Sequence, residues 1–332
     1  MAEQKRTRKV LITGANGFLG SQLVNFAAQN GYEVVAMVRD SANTSLISSN
    51  GCVEIVKTDD DYLAQLKTIL LNQKLEIIIH CAALTAAHSI DDYERVNVML
   101  THRIIEILEG LKFPGQFVFM SSLAAIGPST NTPITSKTDY HPITPYGQSK
   151  QKAEKRLMDS PINYLILRPT AVFGPGDKDF LQLFRSIQMR FEMPLRVPGQ
   201  KISLIYVDDL VKIVFGLCKN VNRRSIYNIS DGNTYSPSYF SHIVSEKLNR
   251  KSLKLPMPPW LAMLGGYVLS GLSKLFKFKN LLNPHKINEL SKNWEVDIEE
   301  LAEDSGIHQF TPIAKGIEET IDFYKKQNWL SR

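Results

Sequence analysis

The chain has 332 residues, 43% of them hydrophobic and 22% charged, with a formal net charge of +6 at pH 7. This length can bury a large core in two lobes, and so small a charge excess does not indicate binding to nucleic acid. Three cysteines without paired or metal-ligand spacing exclude a disulfide framework and a cysteine zinc site. The first residues lack the apolar segment of a secretory signal, so we expect a cytoplasmic protein without a transmembrane segment.

The first predicted elements are a strand, a glycine-rich turn and a helix. Residues 10–13 form a short apolar run, and residues 18–30 carry apolar side chains at helical spacing. Between them Gly14, Gly17 and Gly20 follow a G-x-x-G-x-x-G spacing. A helix that starts after such a turn offers free backbone N–H groups and a positive dipole end to a pyrophosphate. The pattern predicts a dinucleotide site; the alternative is an ordinary connection between strand and helix.

The second predicted strand, residues 33–38, ends at Arg39, where dinucleotide-binding proteins read the adenosine ribose. An acidic residue there accepts hydrogen bonds from the 2′-hydroxyl, whereas a guanidinium offers donors to a 2′-phosphate. Arg39 therefore favours NADP. If Asp40 faces the ribose instead, NAD is favoured, so NAD remains open.

Tyr146 and Lys150 are four residues apart, which places both side chains on one face of a predicted helix. An ammonium ~5 Å from a phenol, at an effective dielectric constant of ~20, stabilises the phenolate by ~3 kcal/mol. We therefore expect Lys150 to lower the pKa of Tyr146, so that the phenol can exchange a proton with an alcohol or a carbonyl. In isolation this pair is equally consistent with an ordinary helix surface.

Further motifs follow in the order found in the extended short-chain dehydrogenase/reductase superfamily. The chain resembles this superfamily, and specifically its NAD(P)-dependent epimerase/dehydratase family. The motifs are Thr58-Asp59-Asp60, His80-Cys81-Ala82-Ala83, Asn97 to Thr101, Ser121 to Gly127, Leu167-Arg168-Pro169, Val172 to Gly176, Tyr206 to Asp209 and Tyr227-Asn228-Ile229. One departure is Thr58, which stands where the family usually has glycine.

By this resemblance Ser122 hydrogen-bonds the substrate oxygen, Tyr146 is the acid–base residue, and Lys150 also holds the nicotinamide ribose. A strand-end serine that satisfies a nearby backbone group is the alternative for Ser122. Asn97 is expected to steady the serine strand rather than to take part in chemistry. The cofactor-binding residues are then Gly14, Asn16, Gly17, Phe18, Leu19, Gly20, Arg39, Asp59, Asp60, Cys81, Ala82, Ala83, Tyr146, Lys150, Pro169 and Val172.

Other departures bear on the substrate. Family enzymes that act on nucleotide sugars often carry an asparagine after the strand at 167–169 and an arginine before the V-D-D motif, both for the diphosphate. Here Thr170-Ala171 and Ile202 occupy those positions, although Lys201 or Arg196 could substitute for the arginine. The serine motif also lacks the acidic residue that dehydratases use to expel water. The sequence therefore does not favour dehydration of a sugar as the reaction.

The C-terminal part opens an apolar segment with Pro258-Pro259-Trp260, and Asn293-Trp294 follow it. This arrangement resembles the dihydroflavonol-reductase and 3β-hydroxysteroid-dehydrogenase branch, which acts on hydrophobic ketones and alcohols. Three roles for the segment 260–276 stay open: packing of the substrate lobe, a lid over an apolar pocket, and peripheral membrane contact. One helical stripe contains Leu261, Leu264, Val268, Leu272 and Leu275, and lysines 274, 277 and 279 lie at its end.

The alternation of strands and helices predicts an α/β protein with a Rossmann-type doubly wound parallel sheet and a smaller, mostly helical C-terminal lobe. Residues 1–169 are predicted to bind NAD(P), rejoined by about 205–230, while 170–204 and 231–332 bind the substrate. The family resemblance implies a homodimer.

The functional prediction is an oxidoreductase that prefers NADP and moves hydride between nicotinamide and a carbonyl or alcohol carbon of a mostly apolar substrate. One alternative is a nucleotide-sugar epimerase that uses the same three side chains. Another is a dinucleotide-binding redox sensor without turnover. No metal is expected.

Overall fold

The computed structural model describes residues 8–48, 51–87, 89–219, 224–276 and 284–331, and over 268–276 it describes the backbone alone. Lys277 and Lys279, at the end of the apolar stripe, lie outside these residues, as do the side chains of the stripe from Val268 onward. The strands are β1 Arg8–Thr13, β2 Tyr32–Val38, β3 Val53–Lys57, β4 Ile77–His80, β5 Gln116–Met120, β6 Tyr164–Pro169, β7 Ala171–Phe173, β8 Phe191–Glu192, β9 Leu204–Tyr206, β10 Arg224–Ile229 and β11 Leu253–Lys254.

The helices begin with α1, which follows the glycine turn. They are α1 Phe18–Gln29, α2 Tyr62–Asn72, α3 Ile90–Tyr93, α4 Leu100–Gly110, α5 Pro145–Met158, α6 Leu181–Gln188, α7 Val207–Leu217, α8 Pro237–Leu248, α9 Pro259–Phe276, α10 Pro284–Leu290, α11 Glu299–Ser305 and α12 Ile313–Lys326. A wide π-helical turn, Glu94–Met99, joins α3 to α4 without a break. A short 3₁₀ turn, Leu123–Ala125, follows β5.

Seven parallel strands form the main sheet in the order β10-β6-β5-β4-β1-β2-β3. Alternate residues of β1 enter different cores: Val10 and Ile12 pack under α1, whereas Leu11 packs under α2 and α4. Burial on both faces explains why these strands read as nearly continuous apolar runs. The predicted doubly wound parallel sheet is confirmed.

The chain order reverses between β1 and β4, which lie side by side although β2 and β3 separate them in sequence. Ligands of such sheets bind in the crevice beyond the carboxyl ends of the strands at this reversal. The glycine turn and the residues after β4 and β5 all lie at that edge.

Outside the main sheet, β7 pairs with β9 and β8 pairs with β11. Strand β10 pairs with β6 in the main sheet, and the ring of Phe215 in α7 stacks on Phe26 of α1 at 5.2 Å. The division into a cofactor lobe and a substrate lobe at the stated boundaries stays a prediction.

Among the described residues, none of the helices combines the length and apolar character needed to cross a bilayer.

Candidate active site

The glycine turn is held by close backbone approaches that only glycine allows. Gly14 has φ +63°, and a Cβ there would lie 2.7 Å from the backbone of Ala82. A Cβ on Gly20 would lie 2.2 Å from the carbonyl oxygen of Gly14, so the first turn of α1 packs on the turn itself. Gly17 is exposed and caps α1 without any side-chain hydrogen bond.

The start of α1 therefore keeps an uncapped set of backbone donors. The N–H groups of Phe18, Leu19 and Gly20 precede the first intrahelical bond, which runs from Ser21 to Gly17 over 2.9 Å. A helix dipole and free N–H groups form an anion site, and Asn16 and Gly17 border it. This donor set fits the pyrophosphate of a dinucleotide.

At the end of β2, Arg39 is exposed and its carbonyl oxygen accepts from Ala42 N over 2.9 Å. The acidic motif reaches the same place, because the Asp59 carboxylate accepts from Asp40 N over 3.2 Å. Asp60 is exposed beside it. Thr58, the departure from glycine, is buried and donates from its hydroxyl to Asp61 over 2.6 Å.

A chain of hydrogen bonds connects the cofactor turn to the helix that follows β4. Burial lowers the pKa of His80 to about 3, so the ring is neutral. Its Nδ1 lies 2.7 Å from Thr13 Oγ1, which accepts from Ala82 N, and its Nε2 lies 3.1 Å from Thr101 Oγ1, which donates to Asn97 O. All four bonds are satisfied if the proton is on Nε2. His80 is a structural link between β1, β4 and α4.

Residues 81–83 extend from that link along the sheet edge, each of them partly buried. Burial raises the pKa of the Cys81 thiol to about 12, against the opposing effect of the nearby Lys150 ammonium. Pro169 ends β6 and is buried, and Val172 lies in β7 and packs against the core.

The start of α5 brings Tyr146 to Ser122. Thr144 caps the helix by accepting from Gly147 N over 3.0 Å, and Pro145 occupies the first turn, where its missing N–H costs nothing. A Cβ on Gly147 would lie 2.2 Å from the carbonyl oxygen of Ala124. The 3₁₀ turn after Ser122 therefore packs directly on α5. This contact explains the glycine that follows the tyrosine, which sequence inspection left unexplained.

Tyr146 carries a neutral phenol. Burial raises its pKa, and the nearby carboxylates of Glu289 and Asp179 act in the same direction. A hydrogen bond with the Ser122 hydroxyl opposes the rise. Burial dominates this shift, and the Lys150 amine donates to Met120 O. The activation of Tyr146 by Lys150 stays a prediction.

Lys150 is almost fully buried, and its Nζ donates to Met120 O over 2.7 Å and lies 4.7 Å from the centre of the Phe119 ring. Burial lowers the pKa of Lys150 to about 8, while Cys81 and Glu154 act in the opposite direction. The amine therefore lies below the end of the strand that leads into Ser122.

One turn beyond Lys150, Glu154 is fully buried in a network that sequence inspection missed. Arg168 Nη2 lies 2.6 Å from Glu154 Oε2, and the Tyr140 hydroxyl donates to the same carboxylate over 2.6 Å. Ser121 donates to its other oxygen. The signal was available, because Tyr146, Lys150 and Glu154 share one helical face at a spacing of four.

Asn97 lies in the wide turn between α3 and α4. Its side-chain oxygen accepts a hydrogen bond from Leu84 N over 2.8 Å. Its side-chain nitrogen donates to Leu84 O over 3.0 Å and to Ser149 Oγ over 2.9 Å. These bonds go to the loop after β4 and to α5, not to the serine strand. Asn97 thus holds α5 beside the loop that follows the cofactor turn.

Residues distant in sequence complete the surroundings of the phenol. The Tyr93 ring lies 6.2 Å from the Tyr146 ring, centre to centre. Glu289 of α10 and Asp179 before α6 contribute negative potential at Tyr146. No local pattern identified these three residues, because the tertiary fold alone brings them to α5.

Lys201 and Arg196 are the two candidate replacements for the missing diphosphate-binding arginine. Lys201 pairs with Glu295 at 3.2 Å, with half of its side chain exposed. Arg196 is exposed, and its backbone N–H donates to Met257 O. Ile202 packs against the core and bonds Tyr235 through its backbone.

Comparison with known proteins agrees with this arrangement. The model of the NAD dependent epimerase/dehydratase family matches residues 10–230, from β1 to the end of β10. The chain belongs to this family. The predicted family is confirmed, and with it the prediction of an enzyme that uses a nicotinamide dinucleotide.

Relatives in the family span almost the whole chain. A UDP-glucose 4-epimerase of Vibrio cholerae is 27% identical, over 98% of this chain and 98% of the relative. A ceramide reductase of Caulobacter vibrioides is 26% identical, over 97% of this chain and 96% of the relative. A solved structure of the Bordetella bronchiseptica enzyme WbmG with NAD is 15% identical, with a TM-score of 0.78 over 99% of this chain and 97% of that one. The last comparison shows the shared fold.

Proposed function

We propose that this epimerase/dehydratase-family enzyme is an oxidoreductase that transfers hydride between nicotinamide and a carbonyl or alcohol carbon of a mostly apolar substrate. The observation that carries the proposal is the contact of the Ser122 hydroxyl with the Tyr146 phenol. Lys150 lies close by, because its amine donates a hydrogen bond to the carbonyl oxygen of Met120, two residues before Ser122. Together the hydroxyl of Ser122 and the phenol of Tyr146 can hydrogen-bond one substrate oxygen and exchange a proton with it.

The cofactor fits the residues present. Its pyrophosphate would lie against the backbone donors of Phe18 and Leu19, and its adenosine end near Arg39 and Asp59. When bound, the dinucleotide supplies or accepts hydride. Arg39 is exposed and forms no ion pair within the described part of the chain, which leaves its guanidinium available. We therefore propose a preference for NADP over NAD.

In the direction of reduction, the side chains of this chain manage one proton. Ser122 donates a hydrogen bond to the carbonyl oxygen and orients it. Burial raises the pKa of Tyr146, so its phenol is protonated at neutral pH. The phenol gives its proton to the substrate oxygen as the alkoxide forms. Lys150 stabilises the phenolate that remains. In oxidation the same groups act in reverse order.

An apolar substrate is favoured by the aromatic ring that borders the Tyr146 phenol and by the lack of the arginine that binds a diphosphate in family enzymes acting on nucleotide sugars. The Tyr93 ring borders Tyr146, and Lys201 is committed to Glu295 rather than to a diphosphate. The carboxylates of Glu289 and Asp179 add negative potential at Tyr146, which disfavours an anionic group there. The ceramide reductase among the relatives acts, by its name, on a lipid.

A second candidate is a nucleotide-sugar epimerase, which would use the same three side chains. It is favoured by the UDP-glucose 4-epimerase that matches nearly the entire chain. Titration calorimetry with UDP-glucose and UDP-N-acetylglucosamine separates the candidates. Micromolar binding of either compound to the holoenzyme would replace our first proposal with the epimerase.

The central test is turnover of a panel of ketones and aldehydes of increasing chain length with NADPH. We expect kcat/KM to rise with apolar length, and Tyr146→Phe to lose at least a hundredfold in kcat while still binding NADPH. Unaltered turnover in that variant would remove Tyr146 from its proposed role.

We also propose a homodimer. The continuous helix from Ile90 to Gly110 presents the half-exposed Met99 on its outer side, near α5. Sedimentation equilibrium should give twice the chain mass, and Met99→Glu should give the monomer. A wild-type monomer at micromolar concentration would contradict this proposal.

A further inference from the structure

The paired strands β8 and β11 reverse the usual alternation of buried apolar and exposed polar residues. Phe191 and Leu253 are partners in register, and both are exposed, by 40% and 63%. The next pair is Glu192 and Lys254, and here the glutamate is the buried member at 2%. Glu192 accepts a hydrogen bond from Ser252 and lies 4.0 Å from Lys254. The carboxylate of Glu192 thus faces inward, whereas the apolar side of the strand pair faces outward.

The reversed pattern continues beyond the two-residue strands. Leu255 N donates to Glu192 O, Met257 N donates to Pro194 O, and Leu195 bridges Met257. Residues at intervals of two share a face of such a pair. Met193 and Leu255 therefore join Phe191 and Leu253 on the outward side, and both are about half exposed.

Helix α9 extends this surface. It begins at Pro259, two residues after Met257, and its Trp260, Leu264 and Tyr267 follow one helical stripe. All three are more than half exposed. Leu261 of the predicted stripe is exposed beside them, so packing inside the lobe does not account for this part of α9. The apolar face, as named below, consists of Phe191, Met193, Leu253, Leu255, Trp260, Leu261, Leu264 and Tyr267.

The residues around the apolar face are cationic. Residues 247–267 contain four lysines and arginines and no aspartate or glutamate. Residues 189–197 contain one acid, Glu192, which is buried. Arg190, Arg250 and Lys251 are exposed at the rim of the face. Exposed aromatic and aliphatic residues with a basic rim are the composition of interfacial membrane-binding segments.

From this combination we infer that the apolar face binds the surface of an anionic lipid bilayer without crossing it. Aromatic rings and leucines enter the boundary between headgroups and acyl chains, and the basic rim contacts anionic headgroups. A second copy of this chain is a poorer occupant, because a two-fold contact would bring the same cationic rims together.

The face lies close to the catalytic cleft. Helix α10 packs on α9, and Glu289 of α10 contributes to the potential at Tyr146. Docking on a bilayer would therefore place the cleft near membrane-dissolved molecules. The inference does not depend on the proposed substrate, since its test measures vesicle binding and not turnover.

The test is co-sedimentation of the full chain with phosphatidylcholine vesicles that contain 0 or about 30% phosphatidylglycerol, a charge density in the range where basic segments bind. We expect binding to the anionic vesicles that weakens at least fivefold between 50 and 500 mM salt, as screening predicts. Two double variants, Trp260→Ser with Leu264→Ser and Phe191→Ser with Leu253→Ser, should each lose at least tenfold in affinity. The matched control is Leu71→Ser, because Leu71 is 64% exposed on α2, outside the face.

A charge variant separates the two contributions. Arg250→Glu with Lys251→Glu should weaken binding to anionic vesicles and leave the thermal unfolding temperature unchanged. The inference is overturned if the wild type does not sediment with anionic vesicles, or if Leu71→Ser weakens binding as much as the face variants. It is also overturned if sedimentation velocity shows a dimer that only the face variants dissociate, since a second copy would then cover the face.

Discussion

Lys150 donates a hydrogen bond to the carbonyl oxygen of Met120 over 2.7 Å. Met120 ends β5, and Ser122 follows it by two residues. The amine therefore ties α5, which carries Tyr146, to the strand end that carries Ser122. One side chain thus connects the two elements that carry the proposed acid–base pair.

The buried amine predicts a pH dependence of activity. Burial lowers the pKa of Lys150 to about 8, so the free enzyme loses this positive charge as pH rises through 8. A neutral amine cannot stabilise the Tyr146 phenolate. We expect kcat/KM to fall about tenfold per pH unit above 8, a profile that reports the free enzyme. A profile that stays flat to pH 9.5 would contradict the role of Lys150.

The same shift predicts the stability of Lys150→Met. The folded-state pKa lies below the ordinary 10.5, so below pH 8 both folded and unfolded chains hold the proton and folding carries the full burial cost. That cost is about 3 kcal/mol. Between pH 8 and 10.5 the unfolded chain binds more protons, and the wild type gains stability as pH rises. Urea unfolding should show Lys150→Met more stable at pH 7, with the difference shrinking toward pH 10.

The contact of Gly147 with Ala124 predicts a position-specific effect of one methyl group. Gly147→Ala places a Cβ 2.2 Å from the Ala124 carbonyl oxygen and must push the turn after Ser122 away from α5. We expect at least a tenfold loss in kcat, since misplaced catalytic groups lose rate steeply. Steady-state turnover with saturating cofactor measures it.

Gly110→Ala is the matched control for that substitution. Gly110 ends α4, and a Cβ there meets nothing within 4 Å. Alanine should leave turnover unchanged and raise the free energy of unfolding by about 0.5 kcal/mol, because it restricts the unfolded chain. Equal loss of activity in both variants would mean that the Ala124 contact does not position Ser122.

The buried pair of Glu154 and Arg168 predicts a large loss of stability. Glu154→Gln leaves the guanidinium of Arg168 buried without its carboxylate, which costs about 3–5 kcal/mol in the free energy of unfolding. Replacing both residues, by Glu154→Leu and Arg168→Met, should recover part of that loss. Glu109→Gln is the control, since Glu109 also binds an arginine through two hydrogen bonds but is partly exposed, and should cost about 1 kcal/mol or less.

Arg39 predicts the cofactor preference. Removing a charge-assisted hydrogen bond to a 2′-phosphate costs about 1.5–3 kcal/mol, so Arg39→Ala should weaken NADPH binding at least tenfold and leave NADH binding unchanged. Fluorescence titration measures both affinities. Arg103→Ala, on the exposed side of α4, serves as the control. Tighter binding of NADH than of NADPH by the wild type would show that Asp40, and not Arg39, sets the preference.

The spacing of residues along the sequence predicted the features of the site that depend on a single strand, turn or helix. The glycine turn and the shared face of Tyr146 and Lys150 both follow from short-range geometry. The pKa of Lys150 did not, because burial against Met120 and Phe119 is a tertiary property. Glu289 was missed for the same reason. The outward-facing Phe191 contradicts the usual expectation that apolar residues point inward, and no alternation in sequence reveals which side of a strand pair is covered.

The wide turn at Glu94–Met99 sets which residues the long helix can present together. In regular α-helix a four-residue step advances about 40° beyond a full turn, so Tyr93, Asn97, Thr101 and Ile105 would drift apart around the axis. A wider turn takes up one extra residue and keeps Tyr93 toward the phenol while Thr101 reaches His80. Inserting or deleting a single residue in this helix would therefore turn either the Tyr93 ring or the Thr101 hydroxyl away from its partner.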